Sequence, residues 1–208
     1  PPLPEGLEAG SVPAPRELGV EETRIDGRGV LPFRGGESQA VKRLDDYFWK
    51  GDRLKTYKET RNGLLGADYS SKFSPWLANG CLSPRRVYAE VRRYETARVA
   101  NSSTYWLIFE LIWRDFFRFT AIKVGNKMFK AGGMKGQQPR GRGGRPEFDA
   151  WAEGRTGVPF VDANMREIAA TGFMSNRGRQ NVASYLVKDL GVDWRWGAEL
   201  FESLLLDY

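Results

Sequence analysis

The chain has 208 residues, with 32 Lys and Arg against 26 Asp and Glu, a formal net charge of +6 and a pI near 9.5. It contains no histidine and a single cysteine, Cys81, which excludes Ser-His and Cys-His catalysis, His-ligated metals, an internal disulfide and a cysteine-built zinc site. The basic balance favours an anionic partner such as nucleic acid, and no apolar run approaches the roughly 18–20 residues needed to span a bilayer.

Six of the eleven prolines fall within the first 32 residues, interleaved with Gly6, Gly10, Gly19, Gly27 and Gly29. Pro1 to Pro32 is therefore expected to be a linker without packed structure. Glu37 to Phe48 carries Ala40, Val41, Leu44, Tyr47 and Phe48 at helical spacing between Gly35-Gly36 and Gly51, which predicts a helix. Ser83-Pro84 is a helix start, a capping hydroxyl before a proline at the first position, and Val87, Val91 and Tyr94 continue the apolar face. A long apolar helix is predicted from Ser103 to Lys123. Glycines at 125, 132, 133, 136, 141, 143 and 144 with Lys135, Arg140, Arg142 and Arg145 then predict a mobile basic loop over Gly125 to Pro146. Helical patterns resume at Val161 to Ala170, at Asn176 to Leu190 and from Gly197 onward. No segment alternates with period two, so the fold class is all-α. The chain starts Pro1-Pro2 and stops inside the apolar pattern Leu204-Leu-Leu-Asp-Tyr208, as a piece of a longer protein would.

Seven Trp, eight Tyr and twelve Phe serve either as core or as stacking surfaces for a planar cofactor or nucleobases. The densest polar feature is Thr171-Gly-Phe-Met-Ser-Asn-Arg-Gly-Arg-Gln-Asn-Val-Ala-Ser-Tyr-Leu, where Asn176, Arg177, Arg179 and Gln180 crowd a segment that otherwise reads as buried helix. Burying such groups unpaired costs roughly 2–7 kcal/mol, so they must face acidic residues, a polar ligand or water. In the long helix, Trp106, Glu110, Trp113, Arg114 and Phe117 follow at steps of four, three, one and three, which places them on one side. Glu110 four residues before Arg114 is the order of an intrahelical ion pair, worth about 0.2–0.5 kcal/mol when exposed. The aromatic surroundings offer a second reading, a carboxylate and guanidinium that hydrogen-bond the imide edge of a pyrimidine or a flavin. Ser70, Ser71, Lys72 and Ser74 are either turn and cap residues or donors to phosphate oxygens.

The block at Thr171 resembles the DASH class of the cryptochrome/photolyase flavoproteins. The resemblance runs from about Phe33 to Tyr208 through Phe33-Arg-Gly-Gly-Glu, Tyr57-Lys-Glu-Thr-Arg-Asn, Ser70-Ser-Lys-Phe-Ser-Pro-Trp-Leu-Ala, Phe109-Glu-Leu-Ile-Trp-Arg-Asp-Phe-Phe-Arg-Phe and Trp151-Ala-Glu-Gly-Arg-Thr-Gly-Val-Pro-Phe-Val-Asp-Ala-Asn-Met-Arg-Glu. It implies a linker over residues 1–32, then the amino-terminal part of a helical FAD-binding domain over 33–208, truncated relative to the family. FAD is the implied cofactor. A folate-type antenna pigment is expected only in an α/β domain ahead of the linker.

By the same resemblance, Tyr57 lies beside the cofactor, Ser70, Ser71, Lys72, Phe73 and Ser74 cradle its pyrophosphate, and Arg179 pairs with Asp207 beside the isoalloxazine ring. Lys72 stands where many relatives carry arginine. The bland alternative for Asp207 is a cap on the next element. Glu110 matches the carboxylate that hydrogen-bonds a pyrimidine dimer, Trp113 the tryptophan packed on the lesion, and Asn176 a substrate contact. Arg61, Arg114, Phe117, Arg177 and Gln180 are DNA-side positions, and Trp194 matches the middle member of a tryptophan electron-transfer chain. The segment before Trp151 lacks the surface member of that chain. The implied activity is blue-light-driven repair of cyclobutane pyrimidine dimers, preferably in single-stranded DNA, by a monomer that binds no membrane. A blue-light photoreceptor that binds FAD without repair, and a cofactor-free helical nucleic-acid binder, stay open. The sequence leaves the compartment open, although plant and algal members of the family are often directed to plastids or mitochondria.

Overall fold

The computed structural model describes residues 4–7, 10–21, 25–137, 141 and 143–208. Among them there is no strand. The helices are α1 (Glu37–Asp45), α2 (Tyr57–Thr60), α3 (Ser74–Ala78), α4 (Pro84–Ala97), α5 (Ser102–Val124), α6 (Arg145–Ala152), α7 (Pro159–Thr171), α8 (Asn176–Ser184) and α9 (Trp194–Leu204). Two of them end in wider π turns, Asp46–Lys50 after α1 and Tyr185–Asp189 after α8, so the helix expected through Leu190 changes its winding at Tyr185.

Local chemistry sets the helix boundaries. The Ser83 hydroxyl accepts from the Arg85 N–H and Pro84 follows it, which starts α4. Asn101 starts α5, its Oδ1 accepting from the N–H groups of Ser103 at 2.8 Å and Thr104 at 3.1 Å. Ser175 accepts from Gly178 N and starts α8. Gly172 stops α7 with φ 68°, a left-handed cap that only a residue without a β-carbon adopts freely.

Two apolar clusters hold the chain together. The first gathers Tyr47, Phe48, Phe73, Trp76, Val91 and Leu107 from the elements up to α5, and the second gathers Trp151, Met165, Ile168, Met174, Val182 and Leu186 from α6 to α9. Phe33 links them, its ring 5.7 Å from Trp76 and 5.0 Å from Phe173. Asn79 Nδ2 donates to Leu206 O across the same seam. The seam matters because the main cleft opens along it.

Two expectations need correction. Within the proline-rich start, Pro15–Leu18 forms a 3-10 turn and Gly29 to Leu31 are half-buried. Gly29 lies beside Thr171, where a β-carbon would sit 3.6 Å from its methyl. Residues 1–3, 8–9 and 22–24 of that stretch lie outside the described residues. The glycine-rich segment after α5 is not a continuous open loop, since Gly125–Phe129 and Gly133–Lys135 are 3-10 turns. Further on, Gly143 N donates to Gly191 O, and a β-carbon at Gly143 would fall within 2.8 Å of a Val192 methyl. Close packing accounts for that glycine. Arg140 and Arg142, part of the basic expectation, lie outside the described residues.

Candidate functional site

A cleft of about 430 Å³ lies between the two clusters and takes residues from both. One wall is the loop Tyr69, Ser70, Ser71, Lys72 and Phe73 leading into Ser74 of α3. The second is Tyr57 and Arg61 with Leu107, Glu110, Leu111 and Arg114 of α5. The third is Phe173, Met174, Asn176, Arg179 and Asp207.

The loop wall is shaped from below by Arg43. Its guanidinium donates to the carbonyls of Ser71 at 3.0 Å, Ala67 at 2.9 Å and Ser70 at 3.2 Å and to Asp68 Oδ1 at 3.0 Å. Several carbonyls are thereby drawn toward one buried cation, away from the cleft. Lys72 closes this wall. It is 4 % exposed and holds φ 55°, a left-handed conformation costing roughly 1–2 kcal/mol for a residue with a β-carbon. Its Nζ stands 3.1 Å over the Tyr69 ring and 3.4 Å from Ser70 Oγ, and it makes no ion pair within 4.0 Å among the described residues. Burial, reinforced by the Arg43 charge, pulls the ammonium down to about 7. Burial pushes the Tyr57 phenol up to about 12, with the Glu110 carboxylate adding to the shift.

Opposite, Glu110 is held through one oxygen. Arg61 Nη1 and Trp106 Nε1, the latter at 3.1 Å, both donate to Oε1, and the Arg61 guanidinium lies 5.4 Å over the Trp106 ring. Among the described residues nothing donates a hydrogen bond to Oε2, and Glu110 lines the cleft. On the third wall, Arg179 Nη2 donates to both Asp207 oxygens, at 2.9 and 3.0 Å, and its Nε donates to Met174 O at 2.9 Å. The Asp207 side chain is only 2 % exposed. Chemically, the cleft combines an uncompensated buried amine with flanking hydroxyls, an apolar stretch of Leu107, Leu111, Phe173 and Met174, a fixed ion pair and an oriented carboxylate. That set suits an anionic, partly planar ligand.

The family profile described as "FAD binding domain of DNA photolyase" matches residues 106–208. Cryptochrome DASH of Xenopus laevis is 59 % identical over 207 residues, covering 100 % of this chain and 40 % of its own length. The chloroplastic/mitochondrial Cryptochrome DASH of Solanum lycopersicum is 58 % identical over 207 residues, with 36 % of its length covered. The crystal structure of a Synechocystis sp. PCC6803 cryptochrome superposes with a TM-score of 0.91 at 60 % identity, covering 99 % of this chain and 42 % of that one. The chain belongs to the DASH class of the cryptochrome/photolyase family. Its all-helical architecture is that of the family's FAD-binding domain. This DASH-type chain spans about two fifths of the length of the curated relatives it matches.

Not every residue singled out in the sequence faces the cleft of this cryptochrome-family domain. Tyr57, Arg61, Ser70, Ser71, Lys72, Phe73, Ser74, Glu110, Arg114, Asn176, Arg179 and Asp207 line it. Trp113 and Phe117 instead stack on each other on the exposed side of α5, centroids 5.3 Å apart at 18°. Trp194 lines a separate apolar cavity with Trp151 and Phe201, and its Nε1 donates to Ala131 O. Arg177 and Gln180 are exposed and bonded to each other at 2.8 Å, with Arg177 also bonded to Asn62 at 2.7 Å. The polar block is thus less buried than its sequence suggests, because Asn176, Arg177 and Gln180 are exposed, Asn176 at the cleft, while Gly178 and Val182 face the core.

The Glu110–Arg114 ion pair is absent. Glu110 binds Arg61, and Arg114 lies 3.5 Å from Asp115, because the guanidinium of Arg61, the residue that ends α2, reaches the half-buried carboxylate with an indole donor beside it. Arg43, Tyr69, Phe173 and Met174 were missed. The first was detectable, since Arg43 lies in step with Ala40, Leu44 and Tyr47 on the buried face of α1, where a cation demands partners.

Proposed function

We propose that this chain is the amino-terminal part, residues 33–208, of the FAD-binding domain of a light-driven DNA repair protein that splits cyclobutane pyrimidine dimers, preferably in single-stranded DNA. The observation that carries the reading is the single cleft in which Lys72 with its serine hydroxyls, the Arg179–Asp207 pair and the free oxygen of Glu110 face one another. A buried amine without a carboxylate fits the diphosphate of FAD, and a space of this size lies within the usual range for small-molecule sites. The chemistry that FAD supplies when bound is blue-light-driven transfer of one electron to the dimer, with its return after the ring opens.

This chain's own residues bind and orient. Ser70, Ser71, Lys72 and Ser74 hold the diphosphate, with Phe73 and Tyr57 packed beside the cofactor. Arg179 and Asp207 present a fixed dipole to the isoalloxazine ring. Glu110 accepts a hydrogen bond from the dimer, Asn176 contacts it, and Trp113, outside the cleft lining on the exposed side of α5, packs on the part of the lesion that projects from the cleft. Arg61, Arg114, Phe117, Arg177 and Gln180 form the DNA side, and Trp194 belongs to an electron route. Single strands suit the site because an unpaired dimer avoids the few kcal/mol of unstacking that a duplex demands. The tomato relative is named chloroplastic/mitochondrial, and the same compartments are proposed here. A folate-type antenna belongs to a preceding domain.

The test is Glu110→Ala, assayed for flavin content and for repair of ultraviolet-irradiated oligothymidylate under blue light. Unchanged flavin with a lower repair yield supports the assignment. Loss of flavin in the variant contradicts it, and flavin binding without any repair by the unmodified protein favours a photoreceptor.

A further inference from the structure

Lys72 is more deeply buried than any other charged side chain on the cleft walls except Asp207, and unlike Asp207 it makes no ion pair within 4.0 Å among the described residues. The groups that face it come from every neighbouring element. Arg43 of α1 repels it, while Asp68 on its own loop, engaged by Arg43 and Arg53, and half-buried Glu167 of α7 attract it from a distance, more weakly than burial disfavours the charge. Arg179 of α8 is committed to Asp207, and Tyr69 offers a ring face and a phenol whose pKa is raised by burial. An ammonium with no carboxylate in contact gives up its proton more readily in such surroundings than it does in water. The strained left-handed backbone at Lys72 is the kind of outlier that persists where a side chain must stand at one place.

We propose that the diphosphate-bearing ligand held at Lys72 enters together with a proton, the amine being mainly uncharged in the free protein above neutral pH and an ammonium in the complex. The inference rests on the reading of the cleft as a cofactor site and adds a proton to the binding equilibrium. The balance is simple. The amine lone pair takes one proton from solvent, no covalent bond forms or breaks, and the new charge lies against the ligand's phosphate oxygens. The direction of the Lys72 shift, whose first cause is burial, agrees with this.

The experiment is isothermal titration calorimetry of FAD at about pH 8 in phosphate-free buffers of different ionisation enthalpy, with riboflavin as the ligand lacking phosphate. FAD is expected to take up close to one proton and riboflavin none. The FAD Kd should weaken about tenfold between pH 8 and pH 9. Lys72→Arg, whose guanidinium stays charged throughout, is expected to bind FAD with no uptake and no such pH dependence. FAD binding without proton uptake, or the same uptake in Lys72→Arg, overturns the proposal and leaves the cofactor reading intact. Absence of FAD binding overturns the cofactor reading instead. ADP-ribose, a diphosphate ester without the flavin, then decides the proposal: uptake that Lys72→Arg abolishes upholds it, and no binding or no uptake overturns it.

Discussion

Replacing Arg179 by Gln leaves the Asp207 carboxylate, 2 % exposed and bonded through both oxygens to that guanidinium, without its partner. At 3.0 Å and an effective dielectric constant near 20, the gross attraction is about 5 kcal/mol. Desolvation offsets part of this, and breaking such a pair from one side costs about 3–5 kcal/mol. For a chain of this length that corresponds to a fall in Tm of about 6–20 °C. The two sides are unequal. Arg179 is 23 % exposed and keeps its bond to Met174 O, so Asp207→Asn should cost less, about 1–2 kcal/mol. Because the double variant Arg179→Gln/Asp207→Asn strands no charge, it should be more stable than Arg179→Gln alone. Urea denaturation followed by circular dichroism measures all three. Equal losses below about 1 kcal/mol for both single variants, with no coupling, would refute the view that this pair is buried and mutually dependent.

Arg43→Met should release the Ala67 to Ser71 carbonyls and, by leaving them unpaired, cost about 3 kcal/mol or more; wild-type protease resistance of that loop would contradict this. Gly178→Ala would put a β-carbon 2.9 Å from Met174 Cγ and closer still to Asn164 Oδ1, so a loss of about 1–3 kcal/mol from overpacking is expected in thermal melts, and a neutral result would show that α7 and α8 can part. Lys72→Met should stabilise the free protein in a pH-dependent way. The Lys72 pKa is depressed from 10.5 to about 7 in the fold, so the unfolded chain binds the extra proton between those values. Wild-type stability therefore rises with pH across that window, and the variant's advantage, largest below pH 7, shrinks by about 1.4 kcal/mol per unit crossed. Denaturation at pH 6, 8 and 10 reads this, and a constant difference would contradict it.

The helical elements were legible because their signals are local. Ser83-Pro84 and the apolar steps that follow fix α4 without reference to anything distant. The cleft was legible only as a set of segments, and the resemblance to the cryptochrome/photolyase family supplied their meeting. What stayed hidden depends on tertiary approach. Spacing within α5 favours Arg114 as the partner of Glu110, yet Arg61, 49 positions away, takes that place. Composition likewise made Asn176, Arg177 and Gln180 look buried, although α8, starting at Ser175, leaves these three exposed. Neither the left-handed backbone of Lys72 nor its want of a carboxylate leaves any trace in sequence.

The central claim is that the cleft between Lys72, Glu110 and the Arg179–Asp207 pair binds FAD. Titrating the purified chain with FAD, read by quenching of its tryptophan fluorescence and by flavin absorption between about 350 and 500 nm after gel filtration, tests this most directly. The account predicts saturable binding of one FAD, weakened in Arg179→Gln and blocked by a bulky side chain at Leu107. No retained flavin and no quenching would contradict it.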